Sequence, residues 1–167
     1  MKVISIWQPY ASLAVHGHKV VETRGWPAPK SLIGKTIGIA STKNIQAAQR
    51  QAFKDDAFRY HFDQTGLPEL VDLPHGCVLG TVQLHSCDVI TEEDLEDITE
   101  AERLFGWWEV GRYAWRLRYP RPFPEPIPAK GAQGIWNWDP HVGLEEAATR
   151  KDPTWSQDRR PHLRLVE

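Results

Sequence analysis

Gly17-His18-Lys19-Val20-Val21-Glu22-Thr23-Arg24 is the stretch on which the reading of this chain turns. A glycine able to stop a helix precedes two β-branched residues, and Lys19, Glu22 and Arg24 fall within six positions. The run before it, Ile4-Ser5-Ile6-Trp7-Gln8-Pro9-Tyr10, reads as a strand breaking into a loop. Pro9 is placed to open a helix carrying Ala11, Leu13, Ala14 and Val15. The order is therefore strand, loop, helix, glycine turn and charged strand. In a strand, Glu22 and Arg24 share a face and Lys19 opposes them. A helical turn at Lys19 instead brings Lys19 and Glu22 together. If they converge, the three make a floor for a small planar polar ligand. If they scatter, they are a surface salt-bridge set of little energetic value.

Working outward, residues 2–6 and Thr36-Ile37-Gly38-Ile39-Ala40 read as strands. Residues 76–87 give a long strand with Val78, Gly80, Val82 and Leu84 at period two. Residues 44–62 predict a mostly polar helix anchored by Phe53, Ala57 and Phe58. Thr91 with Asp94, and Thr99 with Glu102, are helix N-terminal signatures, the second a capping box, in an acidic region expected to face solvent. Over 112–119, Tyr113, Trp115, Leu117 and Tyr119 alternate with Arg112, Ala114, Arg116 and Arg118. Those three arginines make either a phosphate stripe or the wet face of an edge strand. Proline at every second position from Pro120 to Pro128 suggests an extended connector. Gly131 and Gly134 flank a turn before a last strand, Ile135-Trp136-Asn137-Trp138. The pattern predicts an α+β fold, a small, partly closed β-barrel with peripheral helices over 1–139. Residues 140–167 read as a tail, with a short helix possible at 143–150.

Composition sets limits on function. The 167 residues are 41% hydrophobic and 25% charged, the profile of one globular domain and not of a disordered chain. A net charge of −2 argues against a non-specific binder of long duplexes. Nucleic-acid binding would need a local patch or a base-sized pocket. No run approaches the roughly 20 apolar residues of a membrane span, and the start lacks a secretory h-region, so the expected location is the cytoplasm. Cys77 and Cys87, ten residues apart on one predicted strand at roughly 3.3 Å per residue, are too distant to pair and read as free thiols. Eight tryptophans are many for this length; most belong in a core, and Trp7 either stacks a base or packs inside. His16-x-His18 lacks a third ligand nearby, so no metal is expected, and no cofactor.

Ser5-Ile6-Trp7-Gln8-Pro9-Tyr10-Ala11-Ser12-Leu13, followed by Gly17-x-Lys19-x-x-Glu22-x-Arg24, resembles the ASCH domain, a family of the PUA-like superfamily. Pro74-His75-Gly76-Cys77-Val78-Leu79-Gly80-Thr81-Val82 resembles its middle strand, and Lys130-Gly131 with Ile135-Trp136 its closing segment. The resemblance runs in order from about residue 3 to 138. It implies a PUA-like β-barrel with a cleft beside the signature segment, and recognition of RNA, DNA or a modified nucleoside. It places Gln8, Lys19, Glu22 and Arg24 on the cleft floor, with Lys43, Lys130 and Gln133 at the rim. Some members are amidohydrolases of N4-acetylcytidine, in which the motif lysine activates a threonine three residues on. Lys19 matches that lysine, but Glu22 stands at the threonine position, so the nucleophile is absent. A variant in which Glu22 activates water and Lys19 steadies an oxyanion is the enzymatic alternative. A protein-interaction module, using the acidic region 91–102, is the third.

Overall fold

The computed structural model describes residues 1–141; the predicted helix at 143–150 and nearly all of the expected tail lie outside them. Six strands form one mixed sheet: β1 (Lys2–Ile6), β2 (Val21–Arg24), β3 (Thr36–Ser41), β4 (Cys77–Val89), β5 (Tyr113–Pro128) and β6 (Ile135–Asn137). Their spatial order is β2-β5-β4-β3-β1-β6. Only β1 and β3 run parallel; every other neighbouring pair is antiparallel. The sheet curls into a half-barrel. The curl brings β2, at one edge, across from β1 near the other, and the Arg24 guanidinium donates to the Ser5 carbonyl at 3.0 Å across that seam. The fold is α+β, as expected.

Five α-helices surround the sheet among the described residues: α1 (Tyr10–Val15), α2 (Ala47–Ala52), α3 (Asp56–Asp63), α4 (Glu92–Asp97) and α5 (Glu100–Leu104). The single helix predicted over 44–62 is two, because Asp55 caps a new start by accepting the Phe58 N–H at 2.8 Å. Gln46, with Gln49 answering it, caps α2. Gly17 ends α1 at φ +80, a left-handed conformation that favours glycine. The inner face of the curl holds Ile4, Ile6, Ile37, Ile39, Leu79, Val82, Leu84, Trp115 and Leu117. A second cluster of Leu13, Phe58, Phe62, Leu73 and Phe105 seats α3 and α5.

Two strand expectations change. The proline segment 120–128 is not a connector but the second half of β5. β2 pairs with β5 only from Tyr113 to Arg116, so beyond that point β5 has β4 alone as a neighbour, and such an edge tolerates proline. The arginines 112, 116 and 118 do not form a stripe. Between β2 and β4, β5 is an inner strand with Ala114 and Trp115 both fully buried. Arg116 pairs with Asp88 and Asp94, Arg112 stacks on Trp107, and Arg118 is exposed.

Cys77 and Cys87 do share one strand, and both are free. Burial pushes the Cys77 thiol up to about 11. Cys77 should therefore escape alkylation by iodoacetamide at neutral pH in the folded protein and react once unfolded, as mass spectrometry would read. Gly80 is held against β5: a Cβ there would lie 2.3 Å from the Arg121 carbonyl oxygen and 2.8 Å from Pro122 Cα. Since both are backbone atoms, Gly80→Ala should cost about 1–3 kcal/mol in urea unfolding.

Candidate functional site

Local backbone geometry resolves the ambiguity at Lys19. Its N–H, like that of His18, bonds the Leu13 carbonyl at the end of α1, so Lys19 sits in the turn and β2 begins two residues later. Lys19 and Glu22 are thereby brought together, with Nζ 3.8 Å from Oε2. Arg24, on the same strand face as Glu22, places Nε 3.4 Å from Glu22 Oε1. The three residues converge, and they line a cleft of about 520 Å³ in the seam between β1 and β2. The end of β1 supplies Ser5, Ile6 and Trp7; α1 supplies Tyr10; α2 supplies Ala48 and Gln49; the loop after α5 supplies Phe105, Gly106 and Trp107.

The second carboxylate at Lys19 comes from an unexpected place. Glu102 of α5 is buried, with Oε1 3.9 Å from Lys19 Nζ. It accepts the Val21 N–H at 3.0 Å and the Val20 N–H at 3.1 Å, satisfying the free backbone donors where β2 starts. Thr99-x-x-Glu102 reads in sequence as a capping box, and half of it forms: Thr99 accepts the Glu102 N–H. The Glu102 carboxylate does not turn back to Thr99 but crosses to β2. The solvated acidic region of the sequence reading is thus corrected at this one residue; spacing gives no signal that separates a capping glutamate from one captured by a distant strand.

Lys19 is 1% exposed, and its ammonium donates to the Val21 carbonyl while facing both carboxylates. Arg24 lies over the rings of Trp26 and Trp115, 5.5 and 5.6 Å from their centroids. Burial, then the charge of Glu22, raise the Tyr10 phenol above its ordinary value, which keeps its hydroxyl a donor at neutral pH. Three tryptophans stand at the cleft with open surface: Trp7 at 43%, Trp26 at 37% and Trp107 at 66%. Trp7 is therefore not a core residue, and Trp107 was not singled out in the sequence. Arg112 stacks on Trp107 at 4.2 Å and donates to the Thr23 carbonyl, and Trp107 in turn donates its N–H to Thr23 Oγ1. Among the lining residues Lys19, Arg24 and Arg112 are cationic and Glu22 alone is anionic, a local balance opposite to that of the whole chain.

Gln8 does not join the floor, and Lys43, Lys130 and Gln133, expected at the rim, do not line the cleft. Gln8 is fully buried, and its amide is spent on scaffold bonds: Nε2 donates to Ser12 Oγ and to the Pro74 carbonyl, and Oε1 accepts the Ser12 N–H. Lys43 is exposed beside Gly76 and lines no part of the cleft. Lys130 and Gln133 are exposed in a loop that touches the cleft only through Ser5, whose hydroxyl bonds the Ala132 carbonyl.

A curled mixed sheet with a lysine–glutamate–arginine cleft in its seam defines a recognisable class. The ASCH domain family matches residues 4–132, and the chain belongs to it. Activating signal cointegrator 1 of Homo sapiens is 27% identical over 154 residues, covering 89% of this chain and 24% of the human protein. The Mus musculus protein of the same name is 26% identical over 159 residues with the same coverage. The chain thus spans about a quarter of the length of these curated relatives. Among solved structures, ASCH from Zymomonas mobilis superposes with a TM-score of 0.53 at 17% identity, covering 89% of this chain and 94% of that one. That likeness is one of fold.

Removing Glu102 should open the site from behind. Glu102→Ala leaves two strand N–H groups and a buried ammonium short of partners, an expected loss of about 3 kcal/mol in urea unfolding. Glu96→Ala on exposed α4 should change stability by less than about 0.5 kcal/mol.

Proposed function

We infer that this chain is a nucleobase-recognising ASCH domain, binding RNA, DNA or a modified nucleoside in the seam cleft. The observation that carries this reading is the pairing of a polar floor, Glu22 with Arg24 and Lys19, with an accessible indole at Trp7 and part-exposed Trp26 and Trp107 beside it. A base asks for both: edge hydrogen bonds for identity and an aromatic face for affinity. The cationic excess of the lining supplies attraction for a phosphate that the chain as a whole, at −2, does not. Arg112 at the cleft and the exposed Lys130 are the candidates for that contact. The two free thiols suit a reducing compartment such as the cytoplasm, and no helix among the described residues is long and apolar enough to cross a membrane.

The hydrolase alternative has less support. Lys19 is 1% exposed, donates to the Val21 carbonyl and faces two carboxylates, a placement poorly suited to meeting a substrate oxyanion. Its test is incubation with N4-acetylcytidine and chromatography for cytidine. Release that falls about 100-fold in Glu22→Gln would establish turnover.

For binding, tryptophan fluorescence titrated with short single-stranded oligonucleotides should show quenching. Trp7→Ala should weaken affinity by roughly 1–3 kcal/mol, the range for one stacked base. Arg112→Ala should weaken it across all sequences and flatten its salt dependence. Unchanged affinity in both variants would remove the cleft from consideration.

A further inference from the structure

The hydrogen-bonding state of Glu22 narrows the ligand, provided that the cleft holds a base as inferred above. Its side chain is 12% exposed and lines the cleft, yet among the described residues no N–H or O–H makes a hydrogen bond to either carboxylate oxygen. Lys19 and Arg24 neutralise it from 3.8 and 3.4 Å but give their well-formed hydrogen bonds elsewhere, Lys19 to the Val21 carbonyl and Arg24 Nη2 to the Ser5 carbonyl. Arg24 Nε is itself buried without a hydrogen-bond partner. The floor therefore offers a ligand one neutralised carboxylate with two free acceptor oxygens. Lys19, 1% exposed, and Arg24 Nε, buried, are both withdrawn from solvent.

Base edges differ in what they ask of such a group. Cytosine pairs its N4 amino donor with the N3 acceptor, and adenine its N6 amino donor with the N1 acceptor. A carboxylate satisfies the donor and repels the acceptor. Uracil offers one ring N–H between two carbonyls. Guanine alone places two donors side by side, N1–H and the N2 amino group, which a carboxylate accepts in bidentate fashion. Its O6 then asks for a donor, and Tyr10, which carries a hydroxyl, is among the residues lining the same cleft. The guanidinium groups of Arg24 and Arg112 already lie against Trp26 and Trp107, whereas Trp7 has no ring or guanidinium partner among the described residues. Trp7 leaves its face for the base.

We propose that the seam cleft selects guanine, with the Glu22 carboxylate accepting N1–H and the N2 amino group and Trp7 stacking the ring. The base could come from a free nucleotide or from a single strand; the edge chemistry is the same.

Inosine tests this without touching the protein, since it keeps N1–H and O6 and lacks only the N2 amino group. Wild-type protein is titrated by tryptophan fluorescence with GMP, IMP, AMP, CMP and UMP. The same titration uses oligouridine carrying one central guanosine, inosine, adenosine or cytidine. Guanine should bind about 10-fold tighter than hypoxanthine, and tighter still than the other bases, in at least one series. If only the oligonucleotides discriminate, the source is a strand; if only the mononucleotides do, it is a free nucleotide. Glu22→Gln, with its fold checked by thermal midpoint, presents one acceptor and one donor and should erase the guanine–hypoxanthine difference. Equal affinity for guanine and hypoxanthine, tighter binding of cytosine or adenine, or a guanine preference that survives Glu22→Gln would each overturn the assignment while leaving base recognition standing. Quenching by none of the ligands would overturn both.

Discussion

The buried carboxylate of Glu102 is the constraint on which the site depends. It takes two backbone N–H groups from the start of β2 and faces the Lys19 ammonium. A strand start normally finds those acceptors on a neighbouring strand. Here a helix side chain provides them, so α5, β2 and the α1–β2 turn are fixed as one unit. Lys19 is 1% exposed, and in place of water it has two carboxylates at 3.8 and 3.9 Å from Nζ and the Val21 carbonyl. The loop that follows α5 is carried with it, and that loop delivers Gly106 and Trp107 to the cleft.

The cleft exists because the barrel is incomplete. β2 and β6 are the sheet edges, and the curl leaves a seam between β2 and the end of β1. Arg24 crosses the seam at one point, to Ser5. Elsewhere the seam stays open, lined by edge-strand groups and by tryptophans that the closed parts of the sheet would bury, as they bury Trp115 and Trp138. The polar network of Gln8, Ser12, Gln49 and the Pro74 carbonyl holds the β1–α1 corner rigid behind it. Gln8 therefore serves the site as scaffold and makes no contact with the cleft.

Charge shows the same separation of part from whole. The chain carries a small negative excess, and its acidic residues gather on α4 and α5, where most face water. The cleft lining reverses that sign with three cations against Glu22. An association steered by long-range field is not expected from such a protein; recognition at short range within a pocket is.

The sequence by itself determined the elements whose signals are local. The β1 strand, the Pro9 and Gly17 limits of α1 and the period-two core of β4 were legible, because periodicity and caps act over a few residues. The close spacing of Lys19, Glu22 and Arg24 was legible too, but their convergence was not, since it depended on the turn at Lys19. Tertiary structure decided what depends on distant partners. Thr99-x-x-Glu102 looks like a complete capping box until the start of β2, 81 and 82 residues away in sequence, presents two N–H groups. Pro120 to Pro128 looks like a connector until β2 ends early and leaves an edge. Trp7 and Trp107 gain their place only from the position of the seam, and Gln8 loses its place because its amide is consumed by α1 and the Pro74 carbonyl. Local sequence encodes what a residue offers; the fold decides which acceptor, ring or carboxylate takes the offer, because that depends on which distant group arrives within about 3 Å.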